Sequence, residues 1–227
     1  MNMSASTFTN IAPISPIASF SPQLGDVTGA VLAGGRGSRM GGVDKGLQHF
    51  NGIPLALHTL LRLQMQEGGW LGATLINANR HLAAYEAFGV PVWPDTLPDY
   101  AGPLAGFITT LLHCDTPWLL TVPCDTPRFP LDLAQRLVQA VSDEAADIAI
   151  AAGPENGGPV RTQPVFALLP VRLLPSLQAF TDAGGRKIEA WTQQHRTAIV
   201  PFDRPTDDPL AFSNANTLAE LHELQRI

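Results

Sequence analysis

Thr28-Gly-Ala-Val-Leu-Ala33 runs directly into Gly34-Gly-Arg-Gly-Ser-Arg39-Met-Gly-Gly-Val-Asp-Lys45-Gly46, an apolar run emptying into a glycine-rich loop. A short apolar run without polar alternation is the signature of a strand covered on both faces, as in a parallel sheet. Five glycines among the eleven residues from Leu32 to Gly42 let backbone N–H groups turn toward an anion without Cβ obstruction. Arg36, Arg39 and Lys45 bring positive charge against the single carboxylate of Asp44. The loop therefore reads as a triphosphate cradle, with Lys45 as a point charge at its far end. It is not a P-loop, because Lys45 follows Asp44 and precedes Gly46 rather than Ser or Thr. A dinucleotide fingerprint fails as well: Met40 stands where the third glycine after Gly35 and Gly37 belongs.

Outward from this loop, strand and helix signals alternate. Helical spacing covers 55–67 and stops at Gly68-Gly69. There follow an expected strand at 73–76, a helix at 80–88, a strand at 90–93, a helix at 104–113, a strand at 118–122 and a helix at 131–141. Residues 147–152 and 164–169 are further strand candidates, a helix runs to Gln194, and Thr217-Leu-Ala-Glu220 is a capping box opening a final helix. The pattern predicts a three-layer α/β/α, doubly wound, mostly parallel sheet over residues 27–227. Residues 1–26 carry no charge before Asp26 and repeat Pro13, Pro16 and Pro22. They predict a disordered or loosely packed tail, without the basic and apolar regions of a secretory signal.

Composition narrows the function classes. A chain of 227 residues with 45% hydrophobic side chains buries a full core. No apolar run approaches the ~20 residues that span a bilayer, so no membrane role is expected. The net charge of −6 argues against nucleic-acid binding. Among fourteen basic residues only Lys45 and Lys187 are lysines. Cys114 and Cys124 lie in apolar surroundings and read as buried thiols of a reducing cytosol, which makes a cytoplasmic location the expectation.

Ligands of such a sheet bind beyond the carboxyl ends of the strands, and the remaining motifs fall there. Pro123-Cys-Asp125-Thr-Pro127 follows the strand at 118–122, and its prolines stiffen the turn around Asp125. A rigid carboxylate beside a triphosphate loop is a suitable Mg²⁺ ligand; a helix cap is the alternative, with Asp132 nearer that task. Asp95 ends another strand and faces ribose, base or a metal-bound water, or forms an ordinary Asx-turn. Gly102 and Gly106, in the following Asp99-Tyr-Ala-Gly-Pro-Leu-Ala-Gly106 segment, permit close backbone approach. Asn77 and Asn79 offer amides to a nucleobase or ribose, although Asn79 is also placed to cap the helix begun by Arg80. Asn214 and Asn216 precede the terminal helix, where capping explains one as readily as ligand binding does. Arg186 and Lys187, after Gly184-Gly185, either meet a second anionic substrate or form an exposed helix start.

LAGGRGSRMGGVDKG, INANR, DYAGPLAG, PCDTP and the late NANT, in this order over residues 28–226, resemble the molybdenum cofactor guanylyltransferases. The resemblance implies a nucleotidyltransferase fold of the nucleotide-diphospho-sugar transferase type. It also implies transfer of GMP from GTP and Mg²⁺ to the terminal phosphate of Mo-molybdopterin, with release of pyrophosphate. By motif position it implies GTP contacts at Leu32, Ala33, Gly34, Gly35, Lys45, Asn77, Asp95 and Asp125. Metal ligation would fall to Asp125 and Asn216, and a pterin side to Arg186, Lys187 and Asn214. Arg39, Lys45 and Asp125 would carry catalysis. An acceptor phosphate with a second pKa of about 6 is already mostly dianionic, so no general base is required; none of the six histidines falls in a motif. Transient contacts with molybdenum-insertion proteins or molybdoenzyme chaperones belong to the same implication. The alternatives are a cytidylyltransferase acting on the same pterin, whose family typically reads LAAG where this chain has Leu32-Ala-Gly-Gly35, a sugar-phosphate nucleotidyltransferase, and a non-catalytic nucleotide- or pterin-binding adaptor.

Overall fold

The first strand, β1 (Val27–Leu32), is the centre from which the chain winds both ways. A computed structural model describes residues 21–35, 43–96, 102–155 and 157–226. A small antiparallel hairpin of β2 (His49–Phe50) and β3 (Ile53–Pro54) follows the loop and leads into α1 (Leu55–Gln64). The chain continues through β4 (Leu71–Asn77), α2 (Leu82–Glu86), β5 (Val92–Trp93), α3 (Pro103–Leu112) and β6 (Trp118–Pro123). Next come α4 (Leu133–Asp143), β7 (Ile148–Pro154), β8 (Val160–Pro170), α5 (Leu174–Asp182), α6 (Ile188–Thr192), β9 (Thr197–Pro201) and α7 (Leu218–Leu224).

The seven-stranded sheet has the order β5-β4-β1-β6-β8-β7-β9. β8 is antiparallel to both neighbours and every other pairing is parallel. Winding proceeds from β1 outward to β4 and β5, then returns across α3 to β6 on the other side of β1. The reversal opens a crevice at the carboxyl ends of β1 and β6, where a doubly wound sheet binds its ligand. β8 departs from the parallel rule because only the turn between Pro154 and Val160 joins it to β7. A connection that short makes a hairpin and cannot carry a parallel crossover.

Two apolar layers sandwich the sheet. On one face α4 contributes Leu133, Ala134, Leu137, Val138 and Val141, a helical stripe packed with α1's Ala56, Leu60 and Leu63. On the other face α3 lays Leu104, Phe107, Ile108 and Leu111 against the sheet beside Leu177 of α5 and Trp191 of α6. Each fully buried Leu, Val, Ile or Phe in these layers contributes about 1.5–3 kcal/mol of transfer free energy. α1 approaches β1 closely because Gly29 has no side chain; a Cβ there would lie 2.8 Å from Leu63 Cδ2. The three-layer expectation is borne out.

Several local expectations need correction. The helix expected at 80–88 spans only Leu82–Glu86, because His81 adopts left-handed backbone angles (φ 50°, ψ 38°) and stands as its N-cap. α1 ends at Gln64, and Glu67–Gly69 forms a separate 3₁₀ turn with Gly68 at φ 87°. β8 is longer than 164–169, while β9 and the β2–β3 hairpin are additional elements. Cys124 is buried and Cys114 half-buried; both thiols are free. Of the expected tail, residues 1–20 lie outside the described residues. Within 21–26, Pro22 is buried and the Gly25 N–H donates to the Gly69 carbonyl.

Candidate functional site

The ends of β1, β4 and β6 are locked to each other. The Ala33 N–H donates to the Asn77 carbonyl at 2.8 Å, and the Cys124 N–H donates to the Leu32 carbonyl at 3.1 Å. The strand-end residues Leu32, Ala33, Gly34, Asn77 and Asp125 are thus collected at one edge. On the β4 side, two amides hold one carboxylate. Asn77 Nδ2 donates to Asp95 Oδ1 at 2.8 Å, and Asn79 Nδ2 donates to Asp95 Oδ2 at 2.7 Å. The Asp95 N–H returns a bond to Asn79 Oδ1 at 2.7 Å, and Asn79 Nδ2 also reaches the Gly34 carbonyl at 2.9 Å. Neither an Asx-turn at Asp95 nor a helix cap at Asn79 describes this arrangement. Glycine is required on both flanks: a Cβ at Gly34 would sit 2.9 Å, and one at Gly106 2.8 Å, from Asn77 Oδ1.

Lys45 opens a 3₁₀ turn (Lys45–Leu47) whose N-cap is Asp44, accepting the Gly46 N–H at 3.2 Å. Asp44 is 8% exposed. A buried carboxylate needs partners, and α2 with the residue before it supplies them: Tyr85 Oη donates at 2.6 Å, and His81 Nδ1 lies 3.0 Å from Oδ2. Burial, then the Asp44 hydrogen bond, raises the Tyr85 phenol pKa well above its ordinary value, so it stays a donor. The clamp fixes the backbone beneath Lys45, whose Nζ reaches Asp125 Oδ2 at 2.6 Å and Asn216 Oδ1 at 3.1 Å.

The Asp125 turn is braced from three directions. Thr59 of α1 donates to the Cys124 carbonyl at 3.1 Å, and the Ala215 N–H donates to the Asp125 carbonyl at 2.8 Å. Thr126 Oγ1 donates to Asn214 Oδ1 at 2.6 Å, and Asn214 Nδ2 donates to Glu155 Oε1 at 3.1 Å. The capping box of α7 is present in both directions, and Glu220 Oε2 also accepts the Asn216 N–H at 2.7 Å. The terminal helix thereby aims Asn216 at the site. Burial pushes the Cys124 thiol pKa up, which keeps it a neutral packing group.

The expected residues divide accordingly. Lys45, Asp125 and Asn216 meet directly, and Asn77, Asp95 and Gly34 form the adjoining group, with Gly35 next in the chain. Arg39 and Arg36 lie outside the described residues. Asn214 here braces Thr126 against Glu155. Arg186 donates to the Thr181 and Gly185 carbonyls of its own turn, and Lys187 is the N-cap of α6, on the sheet face opposite α1. His81, Tyr85 and Glu155 are supporting residues that motif reading did not single out, while Asp44, Thr126 and Glu220 stood inside motifs without the bracing roles they have here. The capping box places Glu220 but not its bond to the Asn216 N–H; nothing in the spacing of Asp44 and Tyr85 announces their pairing.

Among the described residues, no group of three or more His, Cys, Asp or Glu side chains is placed to hold a metal. Asp125 and Asn216 nevertheless converge two hard oxygen donors on one cationic group. That donor set fits Mg²⁺, which takes one or two carboxylates and completes its shell with phosphate oxygens and water.

Known proteins resemble this chain along most of its length. A family model described as a MobA-like NTP transferase domain matches residues 29–199. A molybdenum cofactor guanylyltransferase of Acidovorax sp. (strain JS42) is 69% identical over 205 residues, spanning 88% of this chain and 95% of that protein. One from Albidiferax ferrireducens is 69% identical over 204 residues, spanning 88% and 96%. In three dimensions the fold is similar to molybdopterin-guanine dinucleotide biosynthesis protein A from Archaeoglobus fulgidus, with a TM-score of 0.67 at 20% identity over 88% of this chain and 97% of that one.

Proposed function

The chain belongs to the molybdenum cofactor guanylyltransferases and carries a MobA-like NTP transferase domain, and on that premise we propose how its residues share the transfer of GMP from GTP to Mo-molybdopterin. The observation that carries the assignment is the meeting of Lys45, Asp125 and Asn216 beside the Asn77–Asn79–Asp95 group at the sheet's switch point. Asp95, gripped by one amide on each oxygen, presents a fixed acceptor carboxylate to the nucleoside. Gly34 lets the Asn77 and Asn79 amides pack against the backbone, and Gly35 leaves the chain after β1 open to close approach, with Leu32 and Ala33 as its floor. Lys45, and Arg39 with it, meet the triphosphate.

Joining two phosphate anions is opposed chiefly by their mutual repulsion, so catalysis here is charge neutralisation and in-line positioning. An oxygen of the acceptor phosphate forms a bond to the α-phosphorus of GTP, the bond from that phosphorus to the bridging oxygen breaks, and pyrophosphate leaves with the electron pair. Lys45 holds charge on the leaving side. Asp125 and Asn216 would hold Mg²⁺, which when bound neutralises phosphate oxygens. The acceptor arrives as a dianion, so no residue has to remove a proton. Arg186, Lys187 and Asn214 remain our candidates for the pterin side, Asn214 through the turn it braces. A cytoplasmic enzyme passing its product to molybdoenzyme chaperones or molybdenum-insertion proteins completes the reading.

Pyrophosphate release, followed with molybdenum-loaded molybdopterin and either GTP or CTP, tests it. GTP is expected to support turnover and CTP to fall far behind; preference for CTP would reassign the chain to cytidylyl transfer.

A further inference from the structure

Lys45 Nζ sits between Asp125 Oδ2 at 2.6 Å and Asn216 Oδ1 at 3.1 Å, with the lysine and aspartate side chains 20% and 24% exposed. These are the two oxygens assigned above to the metal. An ammonium in hydrogen-bond contact with both fills the space a small divalent ion would need, and two cations sharing one carboxylate at such range repel each other. The turn below Lys45 is anchored through Asp44 to Tyr85 and His81. The flexible four-carbon stem can therefore swing while its backbone stays in place.

We propose that Lys45 is a built-in substitute cation, occupying the metal position in the nucleotide-free enzyme and yielding Asp125 and Asn216 when a triphosphate offers it other anionic partners. The proposal rests on the metal assignment above and adds to it an order of events. Without nucleotide, the Asp125 carboxylate is already neutralised and binds divalent ions poorly. With nucleotide, Lys45 moves to the phosphates and the same two oxygens become available. Metal occupancy is thereby tied to the presence of substrate, and the lysine does two successive tasks with one charge.

The test is direct titration of Mn²⁺ into nucleotide-free protein, with the free aquo-ion followed by electron paramagnetic resonance. Wild type, Lys45→Met, Lys45→Ala and the double variant Lys45→Met/Asp125→Asn are compared after circular dichroism confirms that each is folded. Removing the ammonium is expected to tighten Mn²⁺ binding by about fivefold, the scale of a competing, partly exposed ion pair. In the double variant that gain should disappear. Equal Mn²⁺ affinity in wild type and both single variants would overturn the proposal, and so would a gain that survives loss of the Asp125 carboxylate. GMP transfer by the wild-type enzyme, assayed in parallel, answers separately for the function. Normal transfer with unchanged Mn²⁺ affinities would remove the substitute-cation role and leave the guanylyltransferase assignment standing.

Discussion

Asp125 shows how one side chain's role depends on its surroundings. Its carbonyl is taken by the Ala215 N–H, its carboxylate meets Lys45, and the next residue, Thr126, is fully buried and bonded to Asn214. The carboxylate can be removed without opening the core, because it stands at the edge and 24% exposed. Asp125→Ala is therefore expected to lower GMP transfer by about a thousandfold or more, the scale of losing a principal charge-organising group, with the far-ultraviolet dichroism unchanged. Near wild-type turnover would contradict the role given to Asp125. This residue was legible in the sequence, because a carboxylate between two prolines just after an apolar strand has few other uses. Asp44 was less so: it looked like a lone negative charge in a cationic loop, and its partners, buried Tyr85 and exposed His81, lie about forty residues away.

Elements position the site as much as residues do. The capping box of α7 satisfies its own orphan N–H groups and, through Glu220, also holds the backbone of Asn216. Thr217→Ala removes the Oγ1 acceptor from the Glu220 N–H and should cost about 1 kcal/mol in chemical denaturation. It should also weaken the hold on Asn216 and lower transfer; unchanged stability would mean that the cap contributes nothing in this context. The box was readable from four residues, since capping is local chemistry. β9 was not, because the five-residue segment Thr197–Pro201 gains its identity only from pairing with β7. The direction of β8 was likewise hidden in the length of a turn rather than in the strand. His81 illustrates tertiary override: helical spacing favoured an earlier start to α2, but contact with Asp44 accompanies a left-handed backbone there.

At the scale of the whole molecule, the sheet's winding explains why motifs scattered from Leu32 to Asn216 converge on one edge, and the alternation of strands and helices was enough to predict it. Stability should carry a pH signature of its own. Burial, then Arg62, lowers the pKa of His58, whose buried Nδ1 has no hydrogen-bond partner among the described residues. Burial likewise lowers His195, with Arg172 reinforcing it and Asp147 opposing. Both groups take up a proton less readily folded than unfolded, where the ordinary value is 6.5. The unfolded chain thus binds more protons as pH falls through that value, and the melting temperature should drop on acidification from about 7.5 to about 5.5. In His58→Gln the drop should be shallower; an identical slope would exclude His58 as its source. GMP transfer itself is open to direct measurement. GTP labelled at its α-phosphate should be converted by the purified enzyme, with Mg²⁺ and molybdenum-loaded molybdopterin, into a labelled pterin–guanine dinucleotide with one pyrophosphate released per product. GTP bound without transfer of the label, with authentic pterin present, would rule out the transferase and leave a nucleotide-binding adaptor in its place.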